Sequence, residues 1–172
     1  YICSQYFVLS TNHVDMRKIC LSFVSIMFAL SVTAQQHPLW MRYSSISPDG
    51  TTIAFSYKGD IFTIPVQGGN ARQLTSNAAY ESYPIWSPDG ERIAFVSTRE
   101  GSYDIYVMSK DGGEPKRLTT DSGNEIPMTW RDNEHILFET TGMPTAKSIY
   151  FASSQFPQVY ETDVKGSRPR LV

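Results

Sequence analysis

The side chains that could do chemistry are few and poorly placed for it. After the apolar N-terminal segment only His37 and His135 remain as histidines, and they lie almost a hundred residues apart. An imidazole works as a base or a metal ligand only beside a nucleophile, an orienting carboxylate or a second ligand. His135 has Glu134 as its neighbour at the start of an expected strand, which reads as a surface or capping histidine. There is no Gly-x-Ser-x-Gly elbow and no His-Glu-x-x-His pair. A nucleophilic serine on a strained turn and a helix-borne zinc pair are therefore both missing. Gly68-Gly69 and Gly112-Gly113 lack the strand-loop-helix context with lysine that a phosphate cradle needs, and tight turns explain them better. Asp60 and Asp104 hold the same place in two repeats, whereas a calcium loop gathers several oxygens in one place. Their recurrence predicts a structural task, bonding to neighbouring backbone N–H groups. No catalytic, cofactor-binding or metal-ligating residue is assigned, and no cofactor is expected.

The elements that would position any site come from a repeat, which is sought before other patterns. Tyr43-Ser44-Ser45-Ile46-Ser47-Pro48-Asp49-Gly50 returns as Tyr83-Pro84-Ile85-Trp86-Ser87-Pro88-Asp89-Gly90, 40 residues on. Ile53-Ala54-Phe55 returns as Ile93-Ala94-Phe95, and Asp60-Ile61-Phe62 as Asp104-Ile105-Tyr106. Leu74-Thr75 returns as Leu118-Thr119. A third copy is worn: Trp130 stands for Trp86, Ile136-Leu137-Phe138 for Ile93-Ala94-Phe95, and Val159-Tyr160 for Ile105-Tyr106. Its Ser-Pro-Asp-Gly turn has become Arg131-Asp132-Asn133-Glu134, and its glycine-to-glycine spacing grows from 44 to 54.

Each unit reads as four short strands. In the second copy these lie near Pro84–Trp86, Arg92–Ser97, Asp104–Met108 and Lys116–Thr119, separated by turn residues. Four antiparallel strands every 40–45 residues predict an all-β fold. The fold class is a partial β-propeller of about three four-stranded antiparallel blades, preceded by a signal peptide. A β-sandwich is the competing fold, but it does not require one turn tetrapeptide at a fixed period. Trp86, Trp130, Phe95 and Phe138 are expected between blades as core. The third copy's insertion, Thr141 to Phe156, includes Met143, Pro144, Tyr150, Phe151 and Phe156. Two readings of it stay open: gating or partner contact, as long loops on rigid scaffolds often provide, and plain packing.

Before the repeat, Met16-Arg17-Lys18 leads into an apolar run from Ile19 to Val32 and then Thr33-Ala34. Positive residues, a short apolar stretch and small residues at Val32-Thr33-Ala34 predict a signal peptide over 16–34. A membrane span needs about 20 apolar residues, and this run is shorter and holds three serines and a cysteine. Residues 1–15 are expected to be upstream sequence read in frame. Residues 35–172 form the propeller region, an incomplete domain. Cys3 and Cys20 both fall before Ala34, so the mature chain would hold neither disulfides nor thiolate metal sites. With 15 basic and 17 acidic residues scattered together, there is no basic stripe for nucleic acid. No membrane association is expected after cleavage.

The Ser-Pro-Asp-Gly turns, Ile-Ala-Phe and Asp-Ile-Tyr strands, and Gly-Gly…Leu-Thr ends resemble the WD40-like (PD40) repeats of TolB and tricorn-type proteases. Several further segments resemble the first propeller of secreted bacterial tricorn homologues. They are Leu39-Trp40-Met41-Arg42-Tyr43, Tyr57-Lys58-Gly59-Asp60-Ile61, Gly123-Asn124-Glu125-Ile126-Pro127-Met128, Phe156-Pro157-Gln158-Val159-Tyr160 and Gly166-Ser167-Arg168-Pro169-Arg170. The resemblance implies a six-bladed propeller followed by a second propeller, a PDZ-like domain and a serine peptidase of the carboxy-terminal-processing (S41) class. It implies peptides or unfolded proteins as substrates of the parent enzyme, and a periplasmic or cell-envelope location. Its catalytic residues match no position here. A TolB-like binding propeller without catalysis and the propeller of a prolyl-oligopeptidase-type enzyme are the alternatives. An open stack of blades leaves apolar faces in water, so the chain alone is expected to self-associate.

Overall fold

The turns dictate the strands. In a computed structural model, residues 40–141 and 157–172 are described. The proposed signal peptide, Cys3, Cys20, His37 and the insertion beyond Thr141 lie outside them. Ser47 Oγ donates to Asp49 Oδ1 at 2.5 Å and accepts from the Thr52 amide, while the Gly50 amide donates to the Ser47 carbonyl. Gly50 has φ of 71°, as does Gly90 in the second copy, a conformation that favours glycine. Ser87, Asp89 and Arg92 repeat the arrangement. Each aspartate carboxyl is held below its usual range, first by the serine hydroxyl and then by the backbone amide two residues on. The third copy reaches the same end with other residues. There Asp132 Oδ1 accepts from the amides of Glu134 and His135 and contacts His135 Nδ1 at 2.8 Å.

Among the described residues these turns join twelve strands: β1 Arg42–Ile46, β2 Thr52–Tyr57, β3 Asp60–Pro65, β4 Arg72–Gln73, β5 Glu81–Trp86, β6 Arg92–Ser97, β7 Asp104–Ser109, β8 Lys116–Arg117, β9 Glu125–Trp130, β10 His135–Thr140, β11 Gln158–Asp163 and β12 Arg170–Leu171. They form three sheets of four, each strand antiparallel to its sequence neighbour. This is the expected set of three propeller blades. The first strand β5 lies beside both β1 and β9, and β5 and β9 also lie across the second and third strands of the blade before them. The first strands therefore run nearest the axis, and the fourth strands form the rim.

The core is the pair of seams between blades. Ala54, Ile61, Ile93, Phe95, Tyr106 and Met108 fill the first, with Leu74 and Trp86 packed on it. Ala94, Ile105, Val107, Leu118, Trp130, Ile136, Phe138 and Tyr160 fill the second. The four aromatics expected between blades are there. Each tryptophan also ties its blade to the previous one: Trp86 Nε1 donates to the Ser45 carbonyl at 3.2 Å and Trp130 Nε1 to the Ile85 carbonyl at 3.3 Å. Such a bond gives about 0.5–1.5 kcal/mol, and burying a phenylalanine about 1.5–3 kcal/mol.

Packing should therefore outweigh the indole bond when each is removed in turn. Phe95→Ala, which empties a fully buried site, is expected to cost about 3–5 kcal/mol in urea unfolding. Trp130→Phe, which keeps most of the packing, is expected to cost about 1–2 kcal/mol. Equal losses would contradict this order.

Candidate functional site

Two features of the seams are more than packing. The first lies on the axial strands. Among the described residues, three that are not glycine have positive φ: Tyr43, Lys58 and Tyr83. Lys58 is explained by the two-residue Lys58-Gly59 hairpin turn that joins β2 to β3. Tyr43 and Tyr83 sit inside strands, where β1 and β5 shift register against β2 and β6. A bulge re-aims a side chain, and here it stacks the two rings at 3.8 Å between centroids. The Tyr83 hydroxyl is pushed up to about 12, first by its hydrogen bond with Tyr43 and then by burial. Pro127 holds the corresponding place in the third blade, beside its own register shift.

The second feature is acidic. Glu81 and Glu125 begin β5 and β9, and both are fully buried. The Glu81 amide donates to the Gly59 carbonyl and the Glu125 amide to the Tyr103 carbonyl, so each glutamate sits where a first strand meets the preceding blade. Arg99 neutralises Glu81, with Nη2 at 2.6 Å and Nε at 3.1 Å from Oε1. Glu125 receives only the hydroxyls of Thr119 at 3.2 Å and Thr140 at 3.4 Å among the described residues. Burial pushes its carboxyl up to about 8, against the pull of Thr119, and the charges of Asp104 and Asp121 push the same way. In the repeat, the sequence position that Arg99 holds is taken by Gly142 in the third copy.

At the Ser-Pro-Asp-Gly end, a groove of about 770 Å³ separates the first two blades, with Trp86, Pro48 and Pro88 in its lining. The ion pairs Lys110–Glu91 at 2.7 Å and Arg72–Asp111 at 3.5 Å border it. Asn133 bridges the equivalent region between the second and third blades. It accepts from the Asp89 amide at 3.0 Å through Oδ1 and from Arg92 at 2.7 Å through its carbonyl. The worn turn of the third blade is thus a clamp.

The residues weighed from sequence fall as follows. His135 is bound to Asp132 at the β9–β10 turn, and Asp132 is lowered to about 2, chiefly by the Glu134 amide and then by His135. Gly68, Gly69, Gly112 and Gly113 all have positive φ in turns between third and fourth strands. The aspartates need a correction. Asp60 and Asp104 accept from side chains across the sheet, Gln73 Nε2 at 3.0 Å and Arg117 Nη2 at 2.8 Å. The backbone amides of Ile61 and Ile105 are taken instead by Thr75 and Thr119. A threonine hydroxyl two residues past the fourth strand reaches those amides more directly than the aspartate that precedes them. Glu81 and Glu125 were not singled out from sequence, although a glutamate five residues before both Trp86 and Trp130 was there to be read. Among the described residues no group of three or more His, Cys, Asp or Glu side chains could hold a metal ion. No nucleophile–base pair is assembled among the described residues.

A family model described as the tricorn protease N-terminal β-propeller domain matches residues 38–172. Tricorn protease homolog 1 of Streptomyces coelicolor is 33% identical over 90 residues, covering 52% of this chain and 8% of that protein. The uncharacterized peptidase YuxL of Bacillus subtilis is 35% identical over 115 residues, covering 60% of this chain and 17% of that protein. The chain thus spans less than a fifth of either relative. A putative TolB from Agrobacterium tumefaciens superposes with a TM-score of 0.64 at 22% identity, covering 79% of this chain and 50% of that one. The tricorn protease structure gives 0.52 at 13% identity, covering 76% and 18%. At these identities the solved structures bear on the fold alone.

The buried glutamate makes the second seam sensitive to alkali. Its folded carboxyl titrates far above the ordinary value of 4.5. The stability it allows is complete below about 4.5 and is lost as pH rises through about 8. The urea midpoint should fall between those limits. Glu125→Gln should flatten that part of the profile, and an unchanged slope in the variant would contradict the assignment.

Proposed function

Because the chain belongs to the tricorn protease N-terminal β-propeller family, we propose that it is the substrate-handling end of an exported serine peptidase. In this reading the blades guide or filter peptides and unfolded segments toward a catalytic domain carried elsewhere in the protein. The observation that carries it is the family match from residue 38 to 172, which takes in every described blade. Two relatives named as a protease homolog and a peptidase support it.

The pattern of exposure supports a larger ring. In the middle blade Ile105 is fully buried and Leu118 is 3% exposed; their counterparts on the third blade, Val159 and Val172, are 36% and 73% exposed. Pro84 is fully buried while its counterpart Met128 is 52% exposed. On the first blade Ile46, which replaces the tryptophan of the other two, is 57% exposed. Each end face has the form of a seam awaiting a neighbour. Further blades of the same protein supply it in this reading. The segment 16–34 would direct export to the periplasm or cell envelope and be removed after Ala34.

Two measurements test the proposal. Reading the gene in frame beyond Val172 should give three more blades, a second propeller, a PDZ-like domain and an S41-class serine peptidase domain. A stop after one ring would make the protein a TolB-like binding propeller, and a Gly-x-Ser-x-Gly elbow would make it a prolyl-oligopeptidase type. Mass spectrometry of the mature N-terminus should find Gln35 first. An uncleaved Met16 start in the cytoplasmic fraction would overturn the export reading.

A further inference from the structure

Most arginines in the described blades face carboxylates. Arg72, Arg92, Arg99, Arg117 and Arg131 each pair with an aspartate or glutamate. Arg42 and Lys58 pair with none among the described residues, and both lie against aromatic rings instead. The Arg42 guanidinium is 5.6 Å from the Trp40 ring centroid, and Lys58 Nζ is 5.3 Å from that of Tyr57. Both cations line one pocket of about 210 Å³, together with Trp40, Ser56, Gly59 and Tyr80.

The pocket follows from the strands around it. Arg42 and Ser56 are direct partners across β1 and β2, so their side chains share a face of the sheet. Lys58 and Gly59 make the next turn, and Gly59, with φ of 92°, leaves room beside Tyr80. A Cβ at Gly59 would meet Tyr80 Cδ2 at 3.5 Å. Ser56 is only 3% exposed, yet its hydroxyl has no hydrogen-bond partner. A buried hydroxyl left unpaired is costly; this one lines a pocket flanked by two cations. Of the nearby acidic groups, Glu81 is ion-paired through Oε1 with Arg99 and Asp60 accepts from Gln73 through Oδ2, while Glu81 Oε2 and Asp60 Oδ1 are buried without a partner.

We propose that this pocket binds a carboxylate on a short apolar stem, presented by a polypeptide as an acidic side chain or a free chain end. Arg42 and Lys58 supply the charge, Ser56 Oγ the third donor, and Trp40 and Tyr80 the walls for the stem. The volume, that of about seven liquid waters, admits such a group and excludes a nucleotide-sized ligand. The paired aromatic walls favour a carboxylate with carbon behind it over a fully hydrated inorganic anion. The site needs no peptidase domain and stands apart from the proposed function.

Fluorine-labelled tryptophan in the intact protein provides the test, the Trp40 signal being assigned by its loss in Trp40→Phe. Four probes are titrated: N-acetylglutamic acid α-amide, N-acetylalanine, its neutral amide, and inorganic phosphate. The Trp40 signal should move saturably with at least one of the two carboxylates, and which one moves it identifies side chain or chain end as the source. Trp86 and Trp130, bonded inside the seams, should stay still and report an intact fold. Affinity should fall at least about tenfold in Arg42→Gln and in Lys58→Asn, about 1.4 kcal/mol each. Asparagine suits position 58 because it tolerates the left-handed backbone there. Ser56→Ala should weaken binding less. No saturable movement, an equal response to the neutral amide, tighter phosphate binding, or undiminished affinity in both charge variants would each overturn the proposal.

Discussion

A four-stranded antiparallel blade has two faces and too few residues to bury either alone, and that constraint organises the molecule. Nearly all the fully buried apolar side chains belong to a seam, where the face of one blade meets the first strand of the next. The middle blade is covered on both sides. Its strand β7 is buried along five of six residues, whereas the matching strand β11 of the third blade has both exposed and buried positions. The residue types hardly differ between Ile105 and Val159 or between Leu118 and Val172. Their surroundings do.

The same constraint explains how much could be read from sequence. Turn chemistry is local, so Ser-Pro-Asp-Gly announced its own hydrogen bonds, and its recurrence announced the blades. Aromatic side chains at fixed repeat positions were legible as seam residues because a propeller offers large apolar groups few other places. What escaped was whatever depends on residues brought together from different strands or different blades. The Asn133 clamp replaces a lost turn motif with contacts to Asp89 and Arg92, and nothing local in Arg131–Glu134 says so. Asp60 and Asp104 were expected to bond backbone, but sheet pairing set Gln73 opposite Phe62 and Arg117 opposite Tyr106, two residues on and within the aspartates' reach. The positive φ of Tyr43 and Tyr83 follows from bulges that no residue type in those strands announces.

The two ends of the blades have separate tasks. At the Ser-Pro-Asp-Gly end, turn hydrogen bonds and ion pairs are largely satisfied within the chain. The opposite end gathers the strand-entry residues. There Glu81 and Glu125 are buried, and Arg42 and Lys58 stand over aromatic rings. Buried carboxyls are costly on a scaffold that needs only stability. Their concentration where first strands enter sets that end apart from the Ser-Pro-Asp-Gly end.

The central claim is that the third blade's far face is a seam, covered in the intact protein as the middle blade's faces are. Met128 and Met108 provide an internal comparison, since Met128 is 52% exposed here and Met108 3%. Thioether oxidation by dilute peroxide depends on access, and mass spectrometry reads both sites in one sample. The account predicts that Met128 in the intact protein is oxidised as slowly as Met108 and becomes fast only when the chain is produced as residues 35–172 alone. Rapid oxidation of Met128 in the intact protein would contradict it and leave the third blade as a true end of the fold.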